Sequence, residues 1–560
     1  MSRGRRTLLV SLFALAACRP RTEPPQGATP PGPAPSPSAS PAEPAVGPGA
    51  VAESKGPAPR PPSIGALSSR VFVRQNPRPT SPEIGVLHLG SVVPLRESEP
   101  QGTDGCSRGW YAVEPEGYVC LDPSTTLEVE SHPLLAAKRL HHGDFASAVP
   151  FRWSSSREAL LYRKLPTDAE QRENEFELDK HLANVRALRA ARTEGRAPSR
   201  VPKALVDVDV KEPDSALPEL LSAGAWSPYA TANQPNEKRA RAKWIPNRSA
   251  IAWTNEFTSG GRTWVLTDDL LVAPKDKLLP LEPSTYAGVH IDGDRVRLPL
   301  AFVRKEPRVK YRLRSTASDL TPVSFSDEFE LPEVDDGSPQ DPDPLASFRE
   351  DTSPGAVLPT EESWPRLSAV GLTGRYRKDR RTRFLETSDG YWMREHDATL
   401  VEAQPPRGFA LAAGEKWVDV SIFKGTLVAY EGERAVFATL ISPGANGYKR
   451  ENGERAKFTT PTGTFRIEWK HRSTTMTPDP ERKSYYLSEV PFTQFFHMPF
   501  ALHAAYWHDR FGEPKSGGCV NLSPRDAKWL FEWTDPPVPD AWHGVRSGDA
   551  RGPGTWVRVR

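Results

Sequence analysis

The chain has 560 residues, room for three or four domains. Its 73 basic and 71 acidic residues leave a net charge of +2, which excludes a strong electrostatic pull toward nucleic acid, and no zinc-finger, RNP or phosphate-loop pattern is present. The 59 prolines and 40 glycines are unevenly spread, as in small domains joined by linkers rather than in a periodic fibre.

Residues 1–18 read as an export signal. Arg3, Arg5 and Arg6 precede the apolar run Leu8 to Ala17, which is too short to span a bilayer permanently. Leu15-Ala16-Ala17-Cys18 resembles a bacterial lipobox, which implies acylation of Cys18 and a stable membrane anchor on the periplasmic face of the cell envelope. An ordinary signal peptide with a chance cysteine is the other reading. Arg19 after Cys18 does not resemble the Asp retention signal of enteric bacteria, which favours the outer membrane. No other stretch is apolar enough to span. Residues 19–64 are rich in Pro, Ala, Gly and Ser and are expected to form an extended linker.

Short alternating segments follow: Arg70 to Arg74, Gly85 to Gly90, Trp110 to Val113 and Gly117 to Cys120. Their order over residues 65–130 resembles a bacterial SH3-like module, a type that implies a wall-peptide or protein partner; an unrelated β-barrel acting as a spacer is the alternative. Export sets an oxidising compartment, and Cys106 and Cys120 flank two strands joined by a turn, so a disulfide between them is expected.

Residues 131–244 are expected to be partly helical. Thr167 and Glu170 form a capping box, Leu178, Leu182 and Val185 share one face, and Gly195 is a stop. His141-His142 has no partner at metal-ligand spacing. Residues 245–332 and 363–413 return to β character around an Asp/Pro/Ser-rich linker at 333–362. Gly261-Arg262-Thr263-Trp264 with Asp269, and Gly390-Tyr391-Trp392 with Asp397, place an acid five residues after a Trp in both. Related modules and coincidence both fit that spacing.

From residue 414 to 560 the strand pattern sharpens: Lys416 to Ser421, Gly425 to Gly432, Ala435 to Ser442, and a turn at Thr460 to Gly463 leading into a fourth strand. Ser516-Gly517-Gly518-Cys519-Val520-Asn521 places a lone Cys after two glycines, and His503 lies upstream. With one lipid site and one bridge assigned, Cys519 is the free thiol. A thiol needs activation, and His503 is the candidate partner, as ion-pair donor and general acid. Gly517 and Gly518 let the backbone pass close to a carbonyl, and their amides and that of Cys519 are candidates to point toward one oxyanion. The pattern points to acyl transfer through a thioester. A helix is expected from Asp526 to Trp533.

This segment resembles the L,D-transpeptidase catalytic domain of YkuD type. The resemblance is carried by Lys416 to Glu431, the Thr460-Pro461-Thr462-Gly463-Thr464-Phe465 turn, Tyr506-Trp507-His508 with Phe511-Gly512, and Ser516 to Leu522. It implies a mainly β, multi-domain chain ending in a β-sandwich with a short helix after the Cys. It implies Cys519 as nucleophile, His503 as catalytic His, the Ala504 carbonyl as its orienting group and the Gly518 and Cys519 amides as oxyanion donors. Ser516, Asn521, Gly517, Tyr506, Trp507 and His508 are then expected around the substrate. The implied substrate is a peptidoglycan stem peptide, with no metal or cofactor; the acceptor is an amine or water. Two positions depart from the family: Gly517 stands where His is usual, and Ala504 where Gly is common. The first removes an imidazole from beside the nucleophile, a place His508 is a candidate to fill. The competing expectation is a protein of this fold that has lost turnover and tethers membrane to wall.

Overall fold

Alternation turns into paired strands wherever one face has something to cover. Val71–Arg74 pairs with Glu83–Leu87, and Trp110–Ala112 with Tyr118–Cys120. The computed structural model describes residues 61–195, 205, 208–209, 213, 215–222, 241–314, 345–451, 454–477, 485–548 and 551–560. The export signal, Cys18 and nearly all of the first linker lie outside these residues. Among the described residues no helix is long and apolar enough to cross a membrane.

The first module closes over Val71, Val73, Ile84, Val93, Tyr111 and Val119. Cys106 and Cys120 are bonded, with Cα atoms 5.9 Å apart, beside the Trp110–Cys120 cross-strand pair. Its core is completed from far along the chain. Trp542 and Val545 join it, and Glu83–Leu87 pairs antiparallel with Gly544–Arg546. Gly85 is required by that approach: a Cβ there would lie 2.1 Å from the Trp542 ring.

The capping box forms as expected: Thr167 Oγ1 accepts from Glu170 N–H at 3.2 Å, and Glu170 Oε2 accepts from Thr167 N–H at 2.8 Å. The helix Leu178–Thr193 buries Leu178, Val185 and Leu188, with Leu182 half-buried, and Gly195 at φ +65° follows its end. The boundary expected at 244/245 is not there. Arg152–Ser156 and Leu160–Tyr162 are strands, and the first pairs with Ala250–Ser259 and Leu278–Leu281. The serines of this strand hid it from a propensity reading; tertiary pairing overrides them.

The two Trp-containing segments share one strand-turn geometry, in a register different from the Trp-to-acid spacing. Arg262–Thr267 corresponds to Thr382–Thr387. In both, the closing Thr N–H donates to the carbonyl four residues on at 2.8 Å, and its Oγ1 accepts from that residue's N–H at 3.1 Å. Leu270 and Gly390 both take positive φ, and a 3₁₀ turn follows at Lys275–Lys277 and Glu395–Asp397. Trp264 therefore matches Phe384, and Trp392 matches Val272. The linker expected at 333–362 is also shorter than that: Ala356–Trp364 is a strand paired with Arg308–Arg314, and Pro359 sits at its register shift, where a missing N–H is tolerated.

The C-terminal region is two sheets over one core. One sheet orders Val289–His290, Arg434–Leu440, Thr426–Glu431, Lys416–Ser421, Trp556–Val559 and Gly463–Arg466. The other carries Trp469–Met476, Leu487–His497, Phe500–Ala504 and Val520–Leu522. Val418, Val420, Leu427, Phe492, Leu502, Val520, Leu530 and Val557 fill the space between. The helix Pro524–Trp533 starts at Ser523, whose Oγ accepts from Asp526 N–H at 3.2 Å. The second sheet continues outward: Leu487–His497 meets Ala250–Ser259 at Ala250, and Gly544–Arg546 joins Trp469–Met476 to the first module.

Candidate active site

Two adjacent parallel strands build the site. Phe500–Ala504 and Val520–Leu522 pair in register, Leu502 with Val520 and His503 with Asn521. Leu502, Ala504, Val520 and Leu522 face the core. Side chains alternate along a strand, so His503 and Asn521 share the opposite face. Cys519 directly precedes the strand and belongs to that face as well.

His503 is buried, and its Nδ1 lies 3.0 Å from the Ala504 carbonyl. Nδ1–H donates to this oxygen, which leaves the Nε2 lone pair free. Only the backbone of residue 504 takes part, so Ala serves as well as Gly. Burial pushes His503 down to about 4 and the Cys519 thiol up to about 11. Both groups are neutral near pH 7. Desolvation disfavours both charged forms and so works against the expected resting ion pair.

The loop before the nucleophile is latched. Ser516 Oγ accepts from Gly518 N–H at 3.0 Å and donates to the Cys519 carbonyl. The Gly518 amide is thus occupied within the loop, which corrects its expected place in the oxyanion site. Gly518 has φ +127°, and a Cβ would meet the Phe500 ring at 2.5 Å. Only glycine fits there. Gly517 is exposed, so a side chain at 517 would project from the protein surface beside the thiol.

Tyr506, expected at the substrate, is instead fully buried: its hydroxyl donates to the Ser488 carbonyl at 2.9 Å and its ring stacks on Trp153 at 4.2 Å. Trp507 is half-buried, its ring 5.9 Å from that of His503. His508 does not replace the missing imidazole at the thiol; its Nε2 lies 3.1 Å from the Asn521 amide. The sequence reading missed the neighbours of the thiol loop. The Pro499 carbonyl is 4.0 Å from Cys519 Sγ, exposed Met498 adjoins it, and Phe500 and the Thr459 carbonyl press on Gly518. Their one signal was the Met498-Pro499 turn between two apolar runs.

A buried imidazole held at Nδ1 and a half-buried free thiol thus lie on one face of two paired strands. Residues 415–559 match the family model of YkuD, the L,D-transpeptidase catalytic domain. Among solved structures, the chain is similar to an L,D-transpeptidase from Stackebrandtia nassauensis, at 24% identity and TM-score 0.18 over 28% of this chain and 58% of that one. It is similar to another from Xylanimonas cellulosilytica, at 22% and 0.19 over 28% and 65%, and to one from Mycobacterium smegmatis, at 20% and 0.20 over 36% and 72%. The chain thus spans less than two-thirds of the first two. No curated protein matches it.

Proposed function

We propose that the protein is an L,D-transpeptidase that acylates Cys519 with a peptidoglycan stem peptide and passes the acyl group to an amine. The observation that carries this is the shared face of His503 and Cys519 on paired parallel strands, with Nδ1 of His503 held by Ala504. Sγ attacks the carbonyl before the terminal D-Ala while His503 Nε2 takes the thiol proton. The Cys519 N–H faces the oxyanion. The imidazolium then protonates the departing D-Ala amine, and the C–N bond breaks as the thioester forms. An acceptor amine attacks this thioester, His503 takes its proton, and the proton returns to sulfur as the C–S bond breaks. Acylation at Cys18 would hold the enzyme on the envelope membrane, with the first module as a contact for wall or protein.

Intact-mass spectrometry with a carbapenem tests the reading. One adduct is expected on the wild type and none on Cys519→Ala. A wild type that alkylates with iodoacetamide yet takes no carbapenem, and leaves muropeptides unchanged, would favour the tether. Incorporation of labelled fatty acid, lost in Cys18→Ser, tests the anchor.

A further inference from the structure

Asn521 is almost wholly buried, and its main chain is fixed on both sides: its N–H donates to the Ser442 carbonyl and its carbonyl accepts from Ser442 N–H, each at 2.9 Å. Its side chain therefore has one place to go, the face it shares with His503 and Cys519. One end of the amide lies 3.1 Å from His508 Nε2. The other end is buried without a hydrogen-bond partner among the described residues. A buried polar atom left open in this way is unusual, and beside a nucleophile it reads as a contact awaiting substrate.

The tautomer of His508 decides which end is which. His508 Nδ1 accepts the Arg510 N–H at 3.2 Å, so the ring proton of the neutral imidazole belongs on Nε2. The ring is neutral: burial and nearby Lys515 hold it down to about 4, against a smaller opposing pull from Asp509; His503 and Arg510 push the same way as Lys515. An Nε2–H needs an oxygen. The two ends of a carboxamide have the same shape, so Asn521 sits with Oδ1 toward His508 and its NH₂ group at the open end.

We propose that His508 is a positioning residue whose Nε2–H holds Asn521 Oδ1 and thereby aims the Asn521 NH₂ donors at an acceptor oxygen of the acyl donor beside Cys519. This rests on the reading of Cys519 as the acylated nucleophile. It replaces the idea that His508 stands in for the imidazole absent at 517: His508 Nε2 meets the Asn521 amide.

The experiment compares His508→Ala, His508→Gln, Asn521→Ala and the double variant His508→Ala/Asn521→Ala. Carbapenem acylation of Cys519 is followed by intact mass, and iodoacetamide alkylation reports the thiol alone. Loss of one hydrogen bond predicts acylation about tenfold slower in His508→Ala. Alkylation is expected to stay within about twofold. His508→Gln, which keeps a donor, is expected to recover much of the rate, and the double variant to be no slower than Asn521→Ala. Unchanged acylation in His508→Ala, a parallel fall in alkylation, or additive losses in the double variant would each overturn the proposal. Histidine ¹⁵N NMR, assigned by difference with His508→Asn, reads the tautomer without any turnover. An Nε2-protonated ring supports the proposal and an Nδ1-protonated ring sinks it. That arm decides the matter even where the wild type takes no carbapenem, a result that would count against the transpeptidase reading itself.

Discussion

Because burial holds His503 down to about 4 and pushes Cys519 up to about 11, the two residues titrate far from neutrality in opposite directions. Iodoacetamide reacts with the thiolate, so its rate on Cys519 should climb with pH to a midpoint well above the roughly 8.5 of an ordinary thiol. A midpoint below 7, read from a pH series, would restore the ion pair and overturn the neutral-pair mechanism. Gly518→Ala places a methyl against the Phe500 ring on backbone that disfavours side chains. It should cost about 1–3 kcal/mol in denaturant unfolding and disturb the Ser516 latch. Gly517→His projects from an exposed position, so the same measurement should move by no more than about 0.5 kcal/mol. Cys519 and His503 could be singled out in the sequence because glycines around a lone Cys are a chemical signature. The jobs of Gly518 N–H, Tyr506 and His508 were not, since each depends on which atom the fold sets opposite.

Among the elements, strands with clean alternation were legible: Lys416–Ser421 and Thr426–Glu431 lie where the pattern put them, and the Thr167 capping box is intact. Arg152–Ser156 and Ala356–Trp364 were not legible, because Ser-rich and Pro-containing strands are made by their neighbours rather than by their own residues. The strand Gly544–Arg546 shows the same dependence. It is three residues long and lives on two partners, and Trp542 beside it seals the first module with its Nε1–H donating to the Glu114 carbonyl at 2.9 Å. Trp542→Ala should leave a cavity against Gly85 and cost about 3–5 kcal/mol, seen as a lower denaturation midpoint. A loss under about 1 kcal/mol would mean that this seam closes without it.

Across the whole molecule, the modules meet over buried polar groups. His88 of the first module, Asp268 of the second and Glu489 of the catalytic sheet place ligating atoms within 4.8 Å of one another, and Lys138 Nζ, 2.7 Å from Asp268 Oδ1, supplies positive charge there. Burial and the Asp268 charge raise Glu489 to about 7. A raised carboxyl favours the folded state below its ordinary value of 4.5, and that contribution fades as pH rises through 7. His471, held down to about 4 by burial, contributes above its ordinary 6.5 and loses that contribution as pH falls toward 4. Melting temperature should therefore decline from pH 6 to 8 in the wild type and flatten in Glu489→Gln; an equal slope in both would remove Glu489 from the junction's pH response.

The sheet that runs from Ala250–Ser259 through the catalytic strands to Glu83–Leu87 also has a meaning in time. A chain that emerges from its N-terminus presents residues near Gly85 early and must hold that strand edge open until residues near Val545 arrive. Edges kept waiting are where chains stick to one another. A chain short of Gly544–Arg546 should expose the Glu83–Leu87 edge and lean on holding chaperones.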